Sequence, residues 1–215
     1  MSKKLLIFGT GLLGEMVKSY FEYNSDYKVT AFVTEDSMLK GDKFCEMPVV
    51  PLSNVVDKYP PSEYVMFVAI GYTDLNRNRE RIYAECKKAG YKLVSYVHPT
   101  ATVYDTLKLG ENCLVLEDVT IQPFAKVGND VIIWNGSRIC HHSVIEDHCF
   151  IASNVVVSGG AHIGRNCFLG LNAGVRDFVN VGEFCLIGAD SWINKDTASH
   201  GLYSNKGTPR IKEIN

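Results

Sequence analysis

An aliphatic residue recurs at every sixth position from Val103 to Ile193 without interruption. The position four residues after most of them carries a small side chain, such as Cys113, Ala125 or Ser137. An α-helix needs a period of 3.6 residues and hairpin strands have irregular spacing, so neither explains the pattern. The period predicts a hexapeptide β-helix. Its inward aliphatic residues are Val103, Leu109, Val115, Ile121, Val127, Ile133, Ile139, Ile145, Ile151, Val157, Ile163, Leu169, Val175, Val181, Ile187 and Ile193.

The spacing of four of the seven cysteines agrees with a coil made of three hexapeptides. Cys149, Cys167 and Cys185 are 18 residues apart, and Cys113 lies 36 residues before Cys149. We expect one internal stack of these thiols, packed as small hydrophobic groups, over about five coils. The glycines that follow six of the aliphatic residues are expected where the backbone turns a corner without a Cβ in the way. An odd number of cysteines without a secretion signal predicts reduced thiols and a cytoplasmic location.

Composition excludes several functional classes. The chain has 215 residues, 46% of them hydrophobic, and a formal net charge of −2. These values are typical of a globular protein, and they give no positive charge surplus for binding nucleic acid or an anionic membrane. The apolar stretch near the start ends at Gly9, so we expect no membrane span.

The first hundred residues follow a strand and helix alternation. Predicted strands cover 3–8, 28–33, 64–70 and 92–97, and predicted helices follow the first strand and cover 75–89. This order predicts a parallel α/β sheet. Fewer than a hundred residues precede the repeat, which is too few for the two halves of a dinucleotide-binding fold. We therefore predict a half-Rossmann domain for a single nucleotide.

A glycine-rich turn lies between the first strand and its helix, where backbone N–H groups can hold a phosphate. Glu35 or Asp36 follows the second strand, as a ribose-binding acid does. Packing of the helix against the strand is the alternative role of the glycines. Of Arg77, Arg79 and Arg81, one could reach the phosphates and at least two are expected on a solvated helix face. The predicted substrate-binding residues are Gly9, Thr10, Gly11, Leu12, Gly14, Glu35, Asp36, Gly71 and Tyr72.

A histidine and a glycine occupy equivalent positions on neighbouring coils. His141 lies two residues after Ile139, and Gly159 lies 18 residues after His141. A general base beside a free backbone N–H is an arrangement suited to acyl transfer. Cys140 is a rival nucleophile, but no helix N-terminus accompanies it to favour the thiolate.

Together these motifs resemble the bacterial nucleotide-sugar acetyltransferases. They are the glycine-rich half-Rossmann domain, the His98-Pro99 joint, hexapeptide coils with His141, and the Gly207-Thr208-Pro209-Arg210 ending. The group includes NeuD-like sialic acid O-acetyltransferases, PglD-like N-acetyltransferases and perosamine N-acetyltransferases. The likeness covers essentially the whole chain.

The resemblance implies a homotrimer of left-handed β-helices, acetyl-CoA as co-substrate and a UDP-, dTDP- or GDP-linked sugar as acceptor. It implies a nucleotide-sugar domain at 1–99, a catalytic β-helix at 100–196 and a C-terminal cap at 197–215. His141 matches the family's base, with His142 replacing the usual acid, and Phe150 replaces a histidine of some members. Glu146 and Asp147 are alternative partners for the base. The catalytic residues implied are His141, His142 and Gly159, and the CoA-binding residues are Gly159, Gly160, Asn172, Ala173, Gly188, Ala189, Lys195 and Pro209.

The expected reaction is N-acetylation of a nucleotide-linked amino sugar, of the 4-amino-4,6-dideoxyhexose type, for surface glycans such as the O-antigen of lipopolysaccharide. O-acetylation of a sialic acid or other sugar hydroxyl is the alternative. Less favoured are a protein that only binds the nucleotide sugar, an NAD oxidoreductase, and a zinc enzyme. The histidines at 141, 142, 148 and 162 occupy different positions of the 18-residue coil, so no metal site is predicted.

Overall fold

The computed structural model describes residues 3–205, which form an α/β sheet followed by a three-faced β-helix. The sheet has the strand order β3-β4-β2-β1-β5, and only the β3–β4 pair is antiparallel. Its strands are β1 (Lys3–Phe8), β2 (Tyr27–Thr34), β3 (Lys43–Phe44), β4 (Met47–Pro51) and β5 (Tyr64–Val68). Its helices are α1 (Leu12–Asn24), α2 (Val55–Lys58) and α3 (Arg77–Lys88), with 3-10 turns at Asp36–Met38 and Leu52–Asn54.

β1 is buried on both faces, which explains its unbroken apolar run. Leu5 and Ile7 belong to the cluster that contains Phe21 of α1. Leu6 belongs to the opposite cluster, which contains Ile82 of α3. Helices therefore cover both sides of the sheet, as expected for parallel strands.

Several details differ from the sequence expectation. The strand predicted at 64–70 ends at Val68, and the helix predicted at 75–89 begins only at Arg77, because residues 74–76 have positive φ. The strand predicted at 92–97 is divided: Leu93 bridges Met66, whereas Tyr96–Val97 joins the β-helix. The β3–β4 hairpin and α2 were not predicted.

The β-helix consists of two-residue strands in three parallel sheets, which we call its faces. The first face contains Thr102–Val103, Thr120–Ile121, Arg138–Ile139, Val156–Val157, Gly174–Val175 and Trp192–Ile193. The second contains Lys108–Leu109, Lys126–Val127, Val144–Ile145, His162–Ile163 and Asn180–Val181. The third contains Tyr96–Val97, Leu114–Val115, Ile132–Ile133, Phe150–Ile151, Phe168–Leu169, Leu186–Ile187 and Leu202–Tyr203.

Strand pairing confirms the predicted coil of 18 residues. Ile121 pairs with Ile139 on one side and with Val103 on the other. The predicted thiol stack is also present, because the stacked cysteines are completely buried and lie in the core of the β-helix with the aliphatic side chains. The cysteines in question are Cys113, Cys149, Cys167 and Cys185. The fold is an α/β domain followed by a left-handed parallel β-helix, as predicted.

The corner glycines leave no room for a Cβ, as expected. The left-handed corner positions carry other residues, such as Asn112, Asp130 and His142, with φ of 56°, 56° and 59°. The glycines directly follow the strands and lie against the adjacent coil. A Cβ on Gly110 would lie 2.4 Å from the carbonyl oxygen of Gly128. Their small size is needed for close approach between coils, not for positive φ.

The α/β domain packs on the third face of the β-helix. Leu114, Ile132 and Phe150 share one apolar cluster with Phe21 and Phe67. Strands on this face also extend beyond the predicted 100–196 range, at Tyr96–Val97 and Leu202–Tyr203. No helix within residues 3–205 is long and apolar enough to cross a membrane.

Candidate functional site

A cleft of about 510 Å³ opens at the carboxyl ends of β1, β2 and β5. Ligands of open α/β sheets bind at this edge. The glycine-rich turn forms one wall, and Glu35 and Arg81 lie opposite, joined by an ion pair of 2.9 Å. Six of the predicted substrate-binding residues line the cleft: Gly9, Thr10, Gly11, Leu12, Glu35 and Gly71.

Three of the predicted substrate-binding residues lie elsewhere. Gly14 is buried, and a Cβ there would lie 2.1 Å from the carbonyl oxygen of Gly9, so it serves helix packing. The carboxylate of Asp36 accepts hydrogen bonds from Ser53, which hold the pKa of Asp36 below its ordinary value. Tyr72 points to the third face of the β-helix.

The three arginines of α3 have three different environments. Arg77 is exposed, pairs with Asp74 and lies over the ring of Phe184. Arg77 and Arg81 are exposed, so two of the three side chains are solvated as expected, and Arg79 is completely buried. Its guanidinium pairs with Asp130 of the β-helix. Arg81 alone among them lines the cleft.

His141 and Gly159 lie together at the corner between the first and second faces, which we call the first corner. The imidazole lies directly over Gly159: a Cβ on this glycine would lie 2.6 Å from Cε1 and 2.8 Å from Nε2 of His141. Gly160 N–H donates to the carbonyl oxygen of His141 at 2.9 Å. The Gly159 N–H has no acceptor among the described residues. A glycine is required here because any side chain would displace the imidazole.

The partner of the His141 ring is His142. Their Nδ1 atoms are 3.2 Å apart, so one ring donates and the other accepts. Glu146 is instead paired with His162, and Asp147 accepts hydrogen bonds from Asn129. Neither carboxylate is a hydrogen-bond partner of His141 in the described chain. The second histidine thus takes the position beside the base where an acid was expected.

The neighbouring thiol is poorly suited to attack. Cys140 is half-buried, and burial raises the pKa of its thiol, with a smaller contribution from the negative charge of Asp177. A higher pKa leaves less thiolate at neutral pH. This favours a direct reaction over an acetyl-cysteine intermediate.

An apolar groove of about 380 Å³ lies along the corner between the third and first faces, which we call the third corner. Phe150 and Phe168 form its floor, and the Tyr72 ring packs against both at 4.9 Å and 4.6 Å between centroids. The indole N–H of Trp134 is buried and has no hydrogen-bond partner among the described residues. The other lining residues are Ala152, Ser153, Gly170, Leu171 and Ala189.

The predicted CoA-binding residues divide between two edges. Gly159, Gly160 and Lys195 follow strands of the first face, whereas Asn172, Ala173, Gly188 and Ala189 follow strands of the third. Ala189 lines the apolar groove. The side chain of Ala173 is fully buried in the core of the β-helix. Pro209 lies outside the described residues.

His148 and His162, which lie outside the first corner, are each paired with a carboxylate and do not form a metal cluster. His148 Nδ1 lies 2.8 Å from Asp130, and His162 Nε2 lies 2.8 Å from Glu146. Residues 3–205 contain no group of three or more His, Cys, Asp or Glu side chains arranged to hold a metal ion.

Two family models match the chain. The PglD N-terminal domain matches residues 4–86, and the bacterial transferase hexapeptide (six repeats) matches three segments within 106–177. The two parts of the fold are therefore each recognised independently.

Solved structures resemble the whole described chain. One is a histidine-to-asparagine variant of perosamine N-acetyltransferase from Caulobacter crescentus in complex with CoA and GDP-perosamine, with 25% identity, a TM-score of 0.83 and 95% of each chain covered. Another is the acetyltransferase domain of PglB from Neisseria gonorrhoeae FA1090 with acetyl coenzyme A, with 23% identity, a TM-score of 0.84 and coverage of 95% and 97%. WeeI from Acinetobacter baumannii AYE has 18% identity, a TM-score of 0.74 and coverage of 93% and 95%. The last two support the fold alone.

Proposed function

The chain belongs to the NeuD/PglD-like hexapeptide-repeat acetyltransferases, and on that premise we propose that it acetylates the amine of a nucleotide-linked amino sugar. It is an acyltransferase that uses acetyl-CoA as its co-substrate. The observation that carries the proposal is the imidazole of His141 over the unpaired N–H of Gly159. A general base therefore lies next to an N–H group that can donate a hydrogen bond to the oxyanion.

His141 is the general base of the proposed reaction. With a hydrogen on its Nδ1 donated to His142, the Nε2 of His141 is free to accept a proton. It takes that proton from the sugar amine as nitrogen attacks the thioester carbonyl. The C–N bond forms, the C–S bond breaks, and the proton passes to the departing CoA thiolate. Gly159 N–H stabilises the negative charge that develops on the carbonyl oxygen.

The nucleotide occupies the cleft of the α/β domain. The N–H groups of the glycine-rich turn and the start of α1 donate hydrogen bonds to the phosphates, and Arg81 supplies a nearby positive charge. Glu35 lies where ribose hydroxyls bind in related sheets. We assign the nucleotide-sugar domain to 1–99, the catalytic domain to 100–196 and a C-terminal cap to 197–215.

The acetyl-CoA arm fits the apolar groove at the third corner. A pantetheine chain is long and mostly apolar, and Leu171 and Ala189 offer it an apolar wall. The base lies at the first corner, on the other side of the first face. One chain therefore carries the base and the donor groove on separate edges. A second copy that brings its first corner to this groove completes the site, and such head-to-tail contacts close into a ring, for which we propose a homotrimer.

The acceptor we favour is a 4-amino-4,6-dideoxyhexose linked to UDP, dTDP or GDP, on a route to surface glycans such as O-antigen. The similarity to perosamine N-acetyltransferase, crystallised with GDP-perosamine, supports an amine acceptor on a nucleotide sugar. A sugar hydroxyl, as in sialic acid, is the alternative acceptor.

A screen of nucleotide-linked amino sugars with acetyl-CoA tests the proposal. We expect release of free CoA thiol and a product heavier by one acetyl group, with no effect of a metal chelator. The matched sugar with a hydroxyl in place of the amine is the control. Acetylation of the hydroxyl sugar alone would replace N- with O-acetylation, and no transfer to any acceptor would overturn the function.

A further inference from the structure

The junction between α3 and the β-helix contains a fully buried arginine. Arg79 comes from the first turns of α3, and its Nε donates to the carboxylate of Asp130 at 3.0 Å. Its Nη2 also donates to the carbonyl oxygens of His148 and Cys149 on the β-helix, at 2.9 Å and 3.1 Å. A buried guanidinium needs such partners to offset its lost hydration. With these bonds made, Arg79 is not available to bind a phosphate.

The remaining donor of Arg79 points back to the loop that precedes α3. Nη1 donates to the carbonyl oxygen of Gly71 at 3.3 Å and to Oδ1 of Asn76 at 3.0 Å. The amide of Asn76 donates in turn to the carbonyl oxygens of Asn166 and Cys167, at 3.3 Å and 3.2 Å. Asn76 is itself completely buried. Arg79 and Asn76 therefore bind both ends of the segment 71–76 to the β-helix.

The backbone of this segment is held in an unfavourable conformation. Asp74, Leu75 and Asn76 have φ of 53°, 46° and 65° in succession. Left-handed conformations are uncommon for residues other than glycine, and a run of three persists only where surrounding contacts enforce it. The hydrogen bonds of Asn76 and Arg79 are such contacts.

The same segment forms part of both proposed binding sites. Gly71 and Thr73 line the nucleotide cleft, whereas the ring of Tyr72, between them, packs on the aromatic floor of the apolar groove. The position of segment 71–76 therefore affects the distance between the bound nucleotide and the groove.

We propose that Asn76 and Arg79 are positioning residues that lock segment 71–76, so that the bound amino sugar meets the thioester at the reacting distance. The inference rests on the proposed function. Neither side chain touches the reacting atoms. An error of about 1 Å in such a distance lowers rates by about 100-fold.

Asn76→Gly is the sharpest test, since glycine accepts the left-handed backbone but removes the amide. We expect kcat to fall about 10- to 100-fold, with dissociation constants for UDP, dTDP, GDP and CoA unchanged. Hydrogen exchange of the amides at 71–76 should accelerate. Tyr83→Phe is the matched control, because it removes another contact between α3 and the β-helix, the Tyr83–Glu111 hydrogen bond of 2.8 Å. It should lower the melting temperature while kcat stays at the wild-type value.

A kcat of Asn76→Gly equal to that of Tyr83→Phe would overturn the inference, whatever happens to stability. If Asn76→Gly does not fold, Asn76→Asp gives the same comparison, since aspartate tolerates positive φ but lacks the amide donors. A wild-type protein that acetylates no acceptor would instead overturn the proposed function. Hydrogen exchange of segment 71–76 would still report whether Asn76 holds it.

Discussion

The two corners that carry the proposed chemistry differ in polarity. At the first corner, His141 and His142 are exposed and hydrogen-bonded to each other. At the third corner, Phe150, Phe168 and Leu171 line an apolar groove. The cation that forms when an imidazole accepts a proton is favoured by hydration, whereas a thioester arm gains affinity by leaving water. Separate corners of one β-helix satisfy both needs, and in the proposed homotrimer a neighbouring copy would bring the two together.

The largest effect should come from the polar corner. We expect His141→Asn to lower kcat by about 10²- to 10⁴-fold, the usual range for loss of a general base. Steady-state rates and calorimetric affinities for acetyl-CoA and nucleotide measure this, and the affinities should survive. Full activity of His141→Asn across the pH range would exclude His141 as the base.

Mixing two impaired variants, assayed at limiting acetyl-CoA, tests whether the corners of different copies cooperate. His141→Asn lacks the base, and Ala189→Trp fills the groove. Subunits exchanged by mild unfolding and refolding together should recover activity well above that of either parent, because some sites then combine an intact base with an intact groove. Each parent refolded alone is the control. Failure of mixed oligomers to recover activity would indicate that the base and the groove of one active site belong to the same chain.

The apolar corner by itself should show a smaller effect. Ala189→Trp is expected to weaken acetyl-CoA binding at least about 10-fold, since the indole occupies the groove, with nucleotide affinity unchanged. Titration calorimetry measures both. Lys108→Trp, which adds the same ring to the exposed second face, is the matched control. Equal loss of nucleotide affinity would indicate a general distortion and remove the groove as the CoA site.

The smallest effect concerns the thiol of the polar corner. Burial raises the pKa of Cys140, so its thiolate is scarce at neutral pH and increases as the pH rises past the ordinary thiol value of 9.0. Iodoacetamide should therefore modify Cys140 slowly at pH 7 and faster only at alkaline pH. Cys140→Ser should change kcat by no more than about twofold. Loss of turnover in Cys140→Ser, or an acetyl group trapped on the protein, would contradict direct transfer.

Prediction from sequence succeeded best in the β-helix. Each strand there is two residues long and pairs with its equivalent 18 residues away, so a local period specifies the tertiary contact. The α/β domain was predicted more coarsely. The division of the strand at 92–97 depends on Leu93 and Tyr96 joining different sheets. No local pattern signals that choice.

The six-residue period of the sequence determined the coil, its core and the alignment of His141 with Gly159, because neighbouring coils repeat one backbone geometry. Tertiary structure alone decided that Arg79 is buried against Asp130 and that the ring of His142, and neither Glu146 nor Asp147, is the hydrogen-bond partner of His141. These outcomes depend on side chains that compete for hydrogen bonds with residues distant in sequence. That competition is resolved only when the whole chain packs.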